Sequence, residues 1–187
     1  MATILASKSP RRAKILADLG LTFSVEPTEA PEVSLPHAPK RTVTANAARK
    51  LKACRLRHPD AEIIAADTIV WFDGRIYGKP RDLDEARAFL RTLSGRTHSV
   101  FTGVAYCRPG ERLQTEVVES RVTFRALSEP MIDRYVMSVR PTDRAGAYDI
   151  DESGDLIVAS YDGSYENIMG LPVEPLVRFG ALPTPRG

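Results

Sequence analysis

The sequence has few of the features that mark secreted, membrane or nucleic-acid-binding proteins. It contains only two cysteines, Cys54 and Cys107, which lie far apart and outside any CxxC spacing. No apolar run approaches the roughly 20 residues that a transmembrane helix needs, and the N-terminal segment has its apolar residues before its charges, the reverse of a signal peptide. The sequence therefore predicts a cytoplasmic protein with no membrane partner, in which both cysteines are reduced, partly buried thiols.

A large excess of charge of either sign is also absent. Lysine and arginine together number 26 and aspartate and glutamate 24, which gives a formal net charge of +2. A dedicated nucleic-acid binder would carry a strongly basic face or tail, so we expect no stable nucleic-acid partner. Because the chain also lacks internal repeats, low-complexity tracts and a break in composition, we predict a single domain over residues 1–187.

The order of the predicted elements indicates an α/β protein. A short strand over residues 3–6 precedes a helix with Ser9 as its N-cap and Pro10 as its first residue. The β-rich run at 62–72 ends in an Asp-Gly pair at 73–74, which predicts a tight hairpin. Helices and strands alternate at first and hairpins dominate the middle of the chain. We therefore expect a mixed sheet flanked by helices rather than a purely parallel one.

The remaining segments follow the same pattern. The Pro- and Glu-rich residues 26–40 predict a loop, and a long loop in a compact domain is often functional. A helix is predicted over residues 41–57, with an apolar stripe made by Val43, Ala47, Leu51 and Cys54. Short strands are predicted within residues 145–162, including the apolar run LIVAS.

The segment ASKSPRR at residues 6–12 places cations and hydroxyl groups at the start of a helix. The free N–H groups and the positive end of a helix attract anions. Arg11 and Arg12 lie at the unfavourable end of the helix dipole, and arginine suits two-pronged contact with phosphate. The segment is therefore either an ordinary solvated helix start or a site that holds a phosphate group.

Asp67 places a carboxylate inside the apolar run IIAADTIVW. An unpaired buried charge is costly, so this side chain needs a metal, a cation or several donors nearby. It is either a strand-end residue that bonds its own turn, or a metal ligand or general base at the edge of a sheet. Considered by itself, Lys79 in the motif GKP would be a cation in a turn. The hairpin at 73–74, however, folds the chain back and brings Lys79 towards Asp67. Glu29 and Glu32 either complete a carboxylate cluster or lie in solvent.

Taken in order, these motifs resemble the Maf family of nucleoside triphosphate pyrophosphatases nearly end to end. The resemblance is carried by LASKSPRRAKIL at 5–16, the loop near Glu32, KA at 52–53, AADT at 65–68, GKP at 78–80, LSGRTHSVFTGV at 93–104, DRAGAYDI at 143–150 and GSYENIMGLP at 163–172. It implies an elongated mixed sheet with two lobes around a central cleft, as in the inosine triphosphatases. It also implies hydrolysis of a nucleoside triphosphate to the monophosphate and pyrophosphate, dependence on Mg²⁺ or Mn²⁺, and a homodimer.

The resemblance also implies roles for individual residues. Asp67 would accept the proton of the attacking water or bind a metal beside it, and Glu32 would help to hold that metal. Lys79 would neutralise phosphate charge. The residues implied to bind the triphosphate are Ser7, Ser9, Arg11, Arg12 and Lys52.

The substrate base is indicated by three positions. Arg12 and Thr68 favour the branch of the family that acts on dTTP, UTP and modified pyrimidine nucleotides. Asp151 stands where that branch has glutamine, and Asp149 where it has glycine. An ionised aspartate only accepts hydrogen bonds, so Asp151 either selects another base, such as that of CTP or 7-methyl-GTP, or joins the metal cluster. A non-catalytic nucleotide-binding regulator of cell division is the remaining alternative, and the carboxylates favour the enzyme.

Overall fold

The computed structural model describes residues 2–183 and contains one mixed sheet of seven strands. The strands are β1 (Thr3–Leu5), β2 (Ser24–Val25), β3 (Glu62–Phe72), β4 (Arg75–Tyr77), β5 (Thr97–Cys107), β6 (Gln114–Phe124) and β7 (Val158–Asp162). Their order is β2-β1-β3-β5-β6-β7, and β4 pairs with β3. β1 is parallel to β2 and β3, and every other pair is antiparallel. The predicted mixed sheet is confirmed.

Helices cover the sheet, as predicted. They are α1 (Pro10–Asp18), α2 (Pro39–Arg57), α3 (Leu83–Leu93), α4 (Glu129–Val139), α5 (Gly154–Ile157), α6 (Tyr165–Met169) and α7 (Val173–Arg178), with one 3₁₀ turn at Ala145–Ala147. Ser9 is the N-cap of α1 and Pro10 its first residue, which confirms both predictions. None of the helices between residues 2 and 183 has the length together with the hydropathy that a bilayer crossing requires.

The C-terminal third departs from the sequence prediction. The run LIVAS was expected to be a strand, but its first two residues, Leu156 and Ile157, end α5, and β7 begins at Val158. Helix α6 was not predicted; its N-cap is Ser164, whose side chain accepts a hydrogen bond from the backbone N–H of Asn167. Elements of four or five residues are too short to show a helical or strand period, so their type depends on tertiary contacts.

One edge of β3 is shared by two strands and is left uncovered between them. β5 pairs with residues 63–71 of β3, so β1 and β4 must both lie along the opposite edge. There β1 pairs with residues 62–64 and β4 with residues 70–72. The stretch 65–69 therefore has no strand neighbour on that side. The carboxyl end of β1 opens onto this gap, and open α/β sheets bind ligands at such strand ends.

Consecutive residues of β3 at this gap face opposite sides of the sheet, because side chains alternate along a strand. Asp67 faces α2, where it contacts Asn46 and Lys50. Thr68 faces the other side, where it contacts Arg12 of α1. The gap is thus lined from both faces of the sheet.

The close approach of α2 to the sheet depends on Gly103 of β5. Gly103 is the register partner of Asp67, and a Cβ atom built on it would lie 2.5 Å from the carbonyl oxygen of Val43 in α2. Real Cβ atoms do not approach backbone atoms so closely, so a larger residue would push α2 away. The glycine therefore sets the distance between α2 and the Asp67 carboxylate.

We expect Gly103→Ala to lower the free energy of unfolding by about 1–3 kcal/mol, the range for an overpacked core. Urea unfolding followed by circular dichroism measures the change. Gly78→Ala is the control, since a Cβ atom at Gly78 has no neighbour within 4 Å. Equal stability of the Gly103→Ala variant and the wild type would contradict the packing argument.

Candidate active site

A cleft of about 880 Å³ opens at the gap in the sheet. Its lining comes from the turn before α1 and the first residues of that helix, the loop after β2, helix α2, strand β3, the end of the β3–β4 hairpin, and the segments around Asp149 and Gly170. The cleft lining includes most of the predicted site residues, namely Ser7, Ser9, Arg11, Arg12, Glu32, Asp67, Thr68 and Lys79. It does not include Lys52 or Asp151. The structure therefore gathers predicted residues that are up to 72 positions apart in the sequence, from Ser7 to Lys79.

Asp67 is 6% exposed and both of its carboxylate oxygens accept a hydrogen bond. The ammonium group of Lys50 lies 2.6 Å from Oδ1, and the amide Nδ2 of Asn46 lies 3.0 Å from Oδ2. Lys50 also pairs with Glu32, at 2.7 Å from Oε1. A buried carboxylate is tolerated when it is paired with a cation and fully hydrogen-bonded. One lysine thus joins the two predicted acidic residues.

The lysine that reaches Asp67 is Lys50, and the structure does not bring Lys52 into the cleft. Residues two apart on a helix point in directions about 160° apart, so Lys50 and Lys52 lie on different sides of α2. Lys52 is exposed, and Lys50 is the lysine of α2 that lines the cleft. The sequence could have distinguished the two lysines. The apolar stripe of α2 faces the sheet, and Lys50 lies beside the stripe residues Ala47 and Leu51, whereas Lys52 lies on the opposite side of the helix.

Arg12 is tied to the protein by four hydrogen bonds from its guanidinium group. Nε donates to the carbonyl of Gly170 at 2.7 Å, Nη1 to Ser7 Oγ at 3.0 Å and to the carbonyl of Ala66 at 2.9 Å, and Nη2 to Thr68 Oγ1 at 3.0 Å. The Ala66 carbonyl lies in the uncovered stretch of β3, so the arginine replaces a missing strand neighbour. Burial lowers the pKa of Arg12 to about 10, and the charge of Asp67 limits this fall, so the group stays cationic at neutral pH.

The remaining residues of the turn before α1 form a compact group. Ser7 Oγ accepts hydrogen bonds from Arg12 and from the backbone N–H of Ser9, at 3.2 Å. Lys8, exposed at the rim, pairs with Glu29 of the loop after β2. Arg11 is half-buried and lies 3.3 Å from the carboxylate of Asp149. The two arginines of the motif therefore differ, because Arg12 is bound inside the fold and Arg11 faces the cleft.

Asp149 lines the cleft together with Asp143, whereas Asp151 does not. Asp149 is 5% exposed, and its Oδ2 lies 2.9 Å from Nε of Arg144 as well as 3.3 Å from Arg11. Its backbone N–H donates to the hydroxyl of Tyr135 at 2.9 Å. Asp151 is exposed and accepts a hydrogen bond from Tyr165 at 3.2 Å. The structure thus separates Asp151 from the metal cluster that the sequence left open for it.

Lys79 lines the cleft at the end of the β3–β4 hairpin, beside Gly78, whose carbonyl accepts a hydrogen bond from the backbone N–H of Gly146 at 3.0 Å. The turn has the predicted form, with positive φ angles of 48° at Asp73 and 75° at Gly74. Lys79 is exposed, and no carboxylate in residues 2–183 pairs with it. The hairpin brings Lys79 to the same cleft as Asp67 without a direct contact between the two side chains. Its ammonium group is available to an anionic ligand.

Glu32 and Asp67 are the donors that could hold a divalent cation. Mg²⁺ prefers oxygen ligands and is commonly bound by one or two carboxylates together with substrate phosphates. Within the described part of the chain no group of three or more histidine, cysteine, aspartate or glutamate side chains could hold a metal ion. The two carboxylates therefore fit a cation that also takes oxygen atoms from a phosphate ligand, rather than one that the protein encloses alone.

Comparison with known proteins identifies the family. The family model described as Maf-like protein matches residues 2–180. The chain belongs to the Maf-like family. Two Maf-like relatives, both named dTTP/UTP pyrophosphatase, match it along most of their length. The protein from Myxococcus xanthus is 45% identical over 173 residues, which cover 91% of this chain and 86% of that protein. The protein from Akkermansia muciniphila is 42% identical over 178 residues, which cover 94% and 93%.

A third relative and a solved structure extend the comparison. The dTTP/UTP pyrophosphatase of Latilactobacillus sakei is 41% identical over 176 residues, covering 94% of this Maf-like chain and 97% of that protein. The structure of the Staphylococcus aureus Ham1 protein is 12% identical with a TM-score of 0.50, covering 66% of this chain and 72% of that one. At this identity the likeness concerns the fold alone, and it agrees with the mixed sheet flanked by helices.

We expect Arg12→Lys to lower the free energy of unfolding by about 2–3 kcal/mol. A lysine has no planar fork, so the carbonyls of Ala66 and Gly170 would lose their shared donor group. Thermal and urea unfolding measure the loss. Lys14→Ala, on the exposed side of the same helix, is the control and should leave the unfolding midpoint unchanged. If Arg12→Lys has the same unfolding midpoint as the wild type, the hydrogen bonds of the arginine across the gap do not stabilise the fold.

Proposed function

We propose that this protein hydrolyses nucleoside triphosphates to the monophosphate and pyrophosphate, with dTTP and UTP as its substrates. The relatives named dTTP/UTP pyrophosphatase, which are 41–45% identical over more than nine tenths of this chain, support this proposal. The observation that carries it in the structure is the ion cluster of Glu32, Lys50 and Asp67 at the base of a cleft with cationic walls. A protein that only bound nucleotides would have less need of the two carboxylates.

The cations of the cleft suit a triphosphate. They come from three separate elements, with Arg11 on α1, Lys50 on α2 and Lys79 at the end of the β3–β4 hairpin, so negative charge that builds up during the reaction meets several cations. Phosphoryl transfer requires little covalent chemistry from the protein, and positioning and charge stabilisation supply most of the catalysis. We propose Arg11, Lys50 and Lys79 as the residues that bind and neutralise the phosphates. Ser7, Ser9 and Arg12 shape the turn that carries Arg11.

The proposed reaction is attack by water on the α-phosphorus. A bond forms between the water oxygen and the α-phosphorus while the bond from that phosphorus to the α,β-bridging oxygen breaks, and pyrophosphate leaves. Asp67 accepts the proton of the attacking water, which is the role of a general base. Lys50 holds one oxygen of the Asp67 carboxylate, and the second oxygen accepts from Asn46. The carboxylate is therefore fixed in orientation before water is bound.

Glu32 and Asp67 would hold a divalent cation, Mg²⁺ or Mn²⁺, beside the phosphates. Such a cation, when bound, neutralises phosphate charge and polarises a phosphoryl oxygen. Lys50 keeps the two carboxylates paired with a positive charge. Their mutual repulsion is thereby reduced, so the two carboxylates can lie close together.

The base would lie against the apolar part of the cleft wall, where Val70, Ile76 and Ile168 are lining residues. Arg12 and Thr68, which the resemblance links to pyrimidine substrates, bond each other rather than point freely into the cleft. We therefore propose that they act on base choice by fixing the wall around Gly170. A homodimer, a location in the cytoplasm and a single domain over residues 1–187 stay predictions; residue 1 and residues 184–187 lie outside the described part.

Incubation with Mg²⁺ and a panel of dTTP, UTP, CTP and 7-methyl-GTP tests the proposal through the release of pyrophosphate. We expect dTTP and UTP to be turned over fastest. Asp67→Asn should keep the circular dichroism spectrum and lower kcat by about 100-fold or more, as expected for the loss of a general base. Fastest turnover of 7-methyl-GTP would overturn the substrate assignment, and near-normal turnover by Asp67→Asn would overturn its role. Binding of nucleotides without any turnover would favour the regulator.

Lys50 and Lys52 form a matched pair on one helix. We expect Lys50→Met to lower kcat for dTTP by about 100-fold, because it removes a charge-stabilising donor from the reacting groups. Lys52→Met should leave kcat and KM close to the wild-type values, since that side chain lies outside the cleft. Steady-state kinetics on both variants separates the two lysines. A large loss of kcat in Lys52→Met alone would restore the original assignment.

A further inference from the structure

Asn46 of α2 is a buried amide that contacts both the general base and the loop that carries Glu32. It is 3% exposed and makes three hydrogen bonds with the protein. We propose that Asn46 is a positioning residue, which fixes the Asp67 carboxylate and sets the place of Glu32 relative to it. This inference rests on the proposed pyrophosphatase function and assigns a role to a residue that none of the sequence motifs contains.

The hydrogen bonds of Asn46 leave only one orientation for its amide. Its Oδ1 accepts from the backbone N–H of Val33 at 2.8 Å, and its Nδ2 donates to the backbone carbonyl of Val33 at 3.0 Å and to Asp67 Oδ2 at 3.0 Å. An amide has two N–H donors, and both are used here. A flipped amide would place its oxygen against a carbonyl and a carboxylate. The contacts therefore fix the amide, and the amide in turn fixes its partners.

Asn46 and Lys50 together determine how the Asp67 carboxylate is turned. They are four residues apart, so they lie on one face of α2, and each donates to a different oxygen of the carboxylate. With one donor on each oxygen, rotation of the carboxylate about its Cβ–Cγ bond would break both hydrogen bonds. The neutral donor leaves the negative charge of Asp67 in place, whereas the ammonium group of Lys50 offsets it. Asn46 thus orients the base without neutralising it.

The same side chain anchors the second carboxylate. Val33 follows Glu32 directly, and Asn46 pairs with both the N–H and the carbonyl of Val33, as a neighbouring strand would. Glu32 itself is largely exposed, and Lys50 is its ion-pair partner. The backbone on both sides of Glu32 is anchored to α2, at Val33 by the two hydrogen bonds of Asn46 and at Pro31 by one from Arg49 at 3.3 Å, and these contacts limit the movement of Glu32. One amide therefore links the two residues proposed to hold the divalent cation.

A purely structural role for Asn46 predicts a different result, and α2 offers a control for it. Thr42, also on α2 and also buried, anchors the same loop one turn earlier, since its Oγ1 accepts from the N–H of Leu35 at 3.0 Å. Thr42 makes no hydrogen bond with Asp67 in the described residues. Thr42→Val removes a loop anchor and keeps the carboxylate contact, whereas Asn46→Leu removes both.

The test compares Asn46→Leu and Thr42→Val in the full chain. We expect Asn46→Leu to lower kcat for dTTP by about 10–100-fold, the usual range for a residue that orients a metal ligand, with KM for dTTP little changed. The second readout is binding of Mn²⁺ with α,β-methylene-UTP, which is not cleaved, followed by the electron paramagnetic resonance of free Mn²⁺. Affinity should fall by about tenfold in Asn46→Leu. Thr42→Val should keep kcat and Mn²⁺ affinity near the wild-type values while losing comparable thermal stability.

The outcomes distinguish this inference from the proposed function. If the wild type releases pyrophosphate and Asn46→Leu keeps both its kcat and its Mn²⁺ affinity, the positioning role is overturned and the function stands. Equal losses in Asn46→Leu and Thr42→Val also overturn it, because a loop anchor alone would then suffice. If the wild type neither turns over a nucleotide nor binds Mn²⁺ with the analogue, both proposals fall. Asn46→Ser, which is too short to reach Asp67, replaces Asn46→Leu should the latter not fold.

Discussion

The arrangement of the whole cleft depends on how the Asp67 carboxylate is accommodated inside the sheet. A carboxylate that is 6% exposed requires donors and a counter-charge. Helix α2 supplies them from two residues one turn apart, Asn46 and Lys50. To do so, the helix must lie close to the sheet, and Gly103 beside Asp67 allows this. The contact between α2 and the sheet thus includes a hydrogen bond and an ion pair to Asp67 as well as apolar packing.

The gap in the edge of β3 explains why the cleft forms at this place. A sheet edge normally pairs with a strand, and the backbone carbonyls that remain exposed must find other donors. Arg12 donates to the Ala66 carbonyl in the gap and to the Gly170 carbonyl across it. The same guanidinium group therefore joins the first helix, the central strand and the C-terminal segment. The segment that was predicted to bind phosphate thus also connects three parts of the fold.

The cations of the cleft differ in how tightly they are held. Asp149 lies between Arg11 and Arg144 and is bound through its backbone to Tyr135, so Arg11 is paired with a buried residue that is itself fixed. Lys79 is exposed, and no carboxylate in the described ranges pairs with it. An anionic ligand would therefore meet one cation that is already paired and one that is not.

Sequence by itself determined the kind of fold and most of the predicted residues that line the cleft. Periodicity and turn residues were sufficient for the mixed sheet, the start of α1 at Ser9 and the hairpin at residues 73–74, because local rules decide these features. The position of Asp67 inside an apolar run indicated that its carboxylate needs a metal, a cation or several donors, but not which residues supply them. Only the tertiary structure selected Lys50 over Lys52, added Asn46 and replaced Asp151 by Asp149 at the cleft. These choices depend on helix phase and on contacts between distant segments, which no local pattern contains.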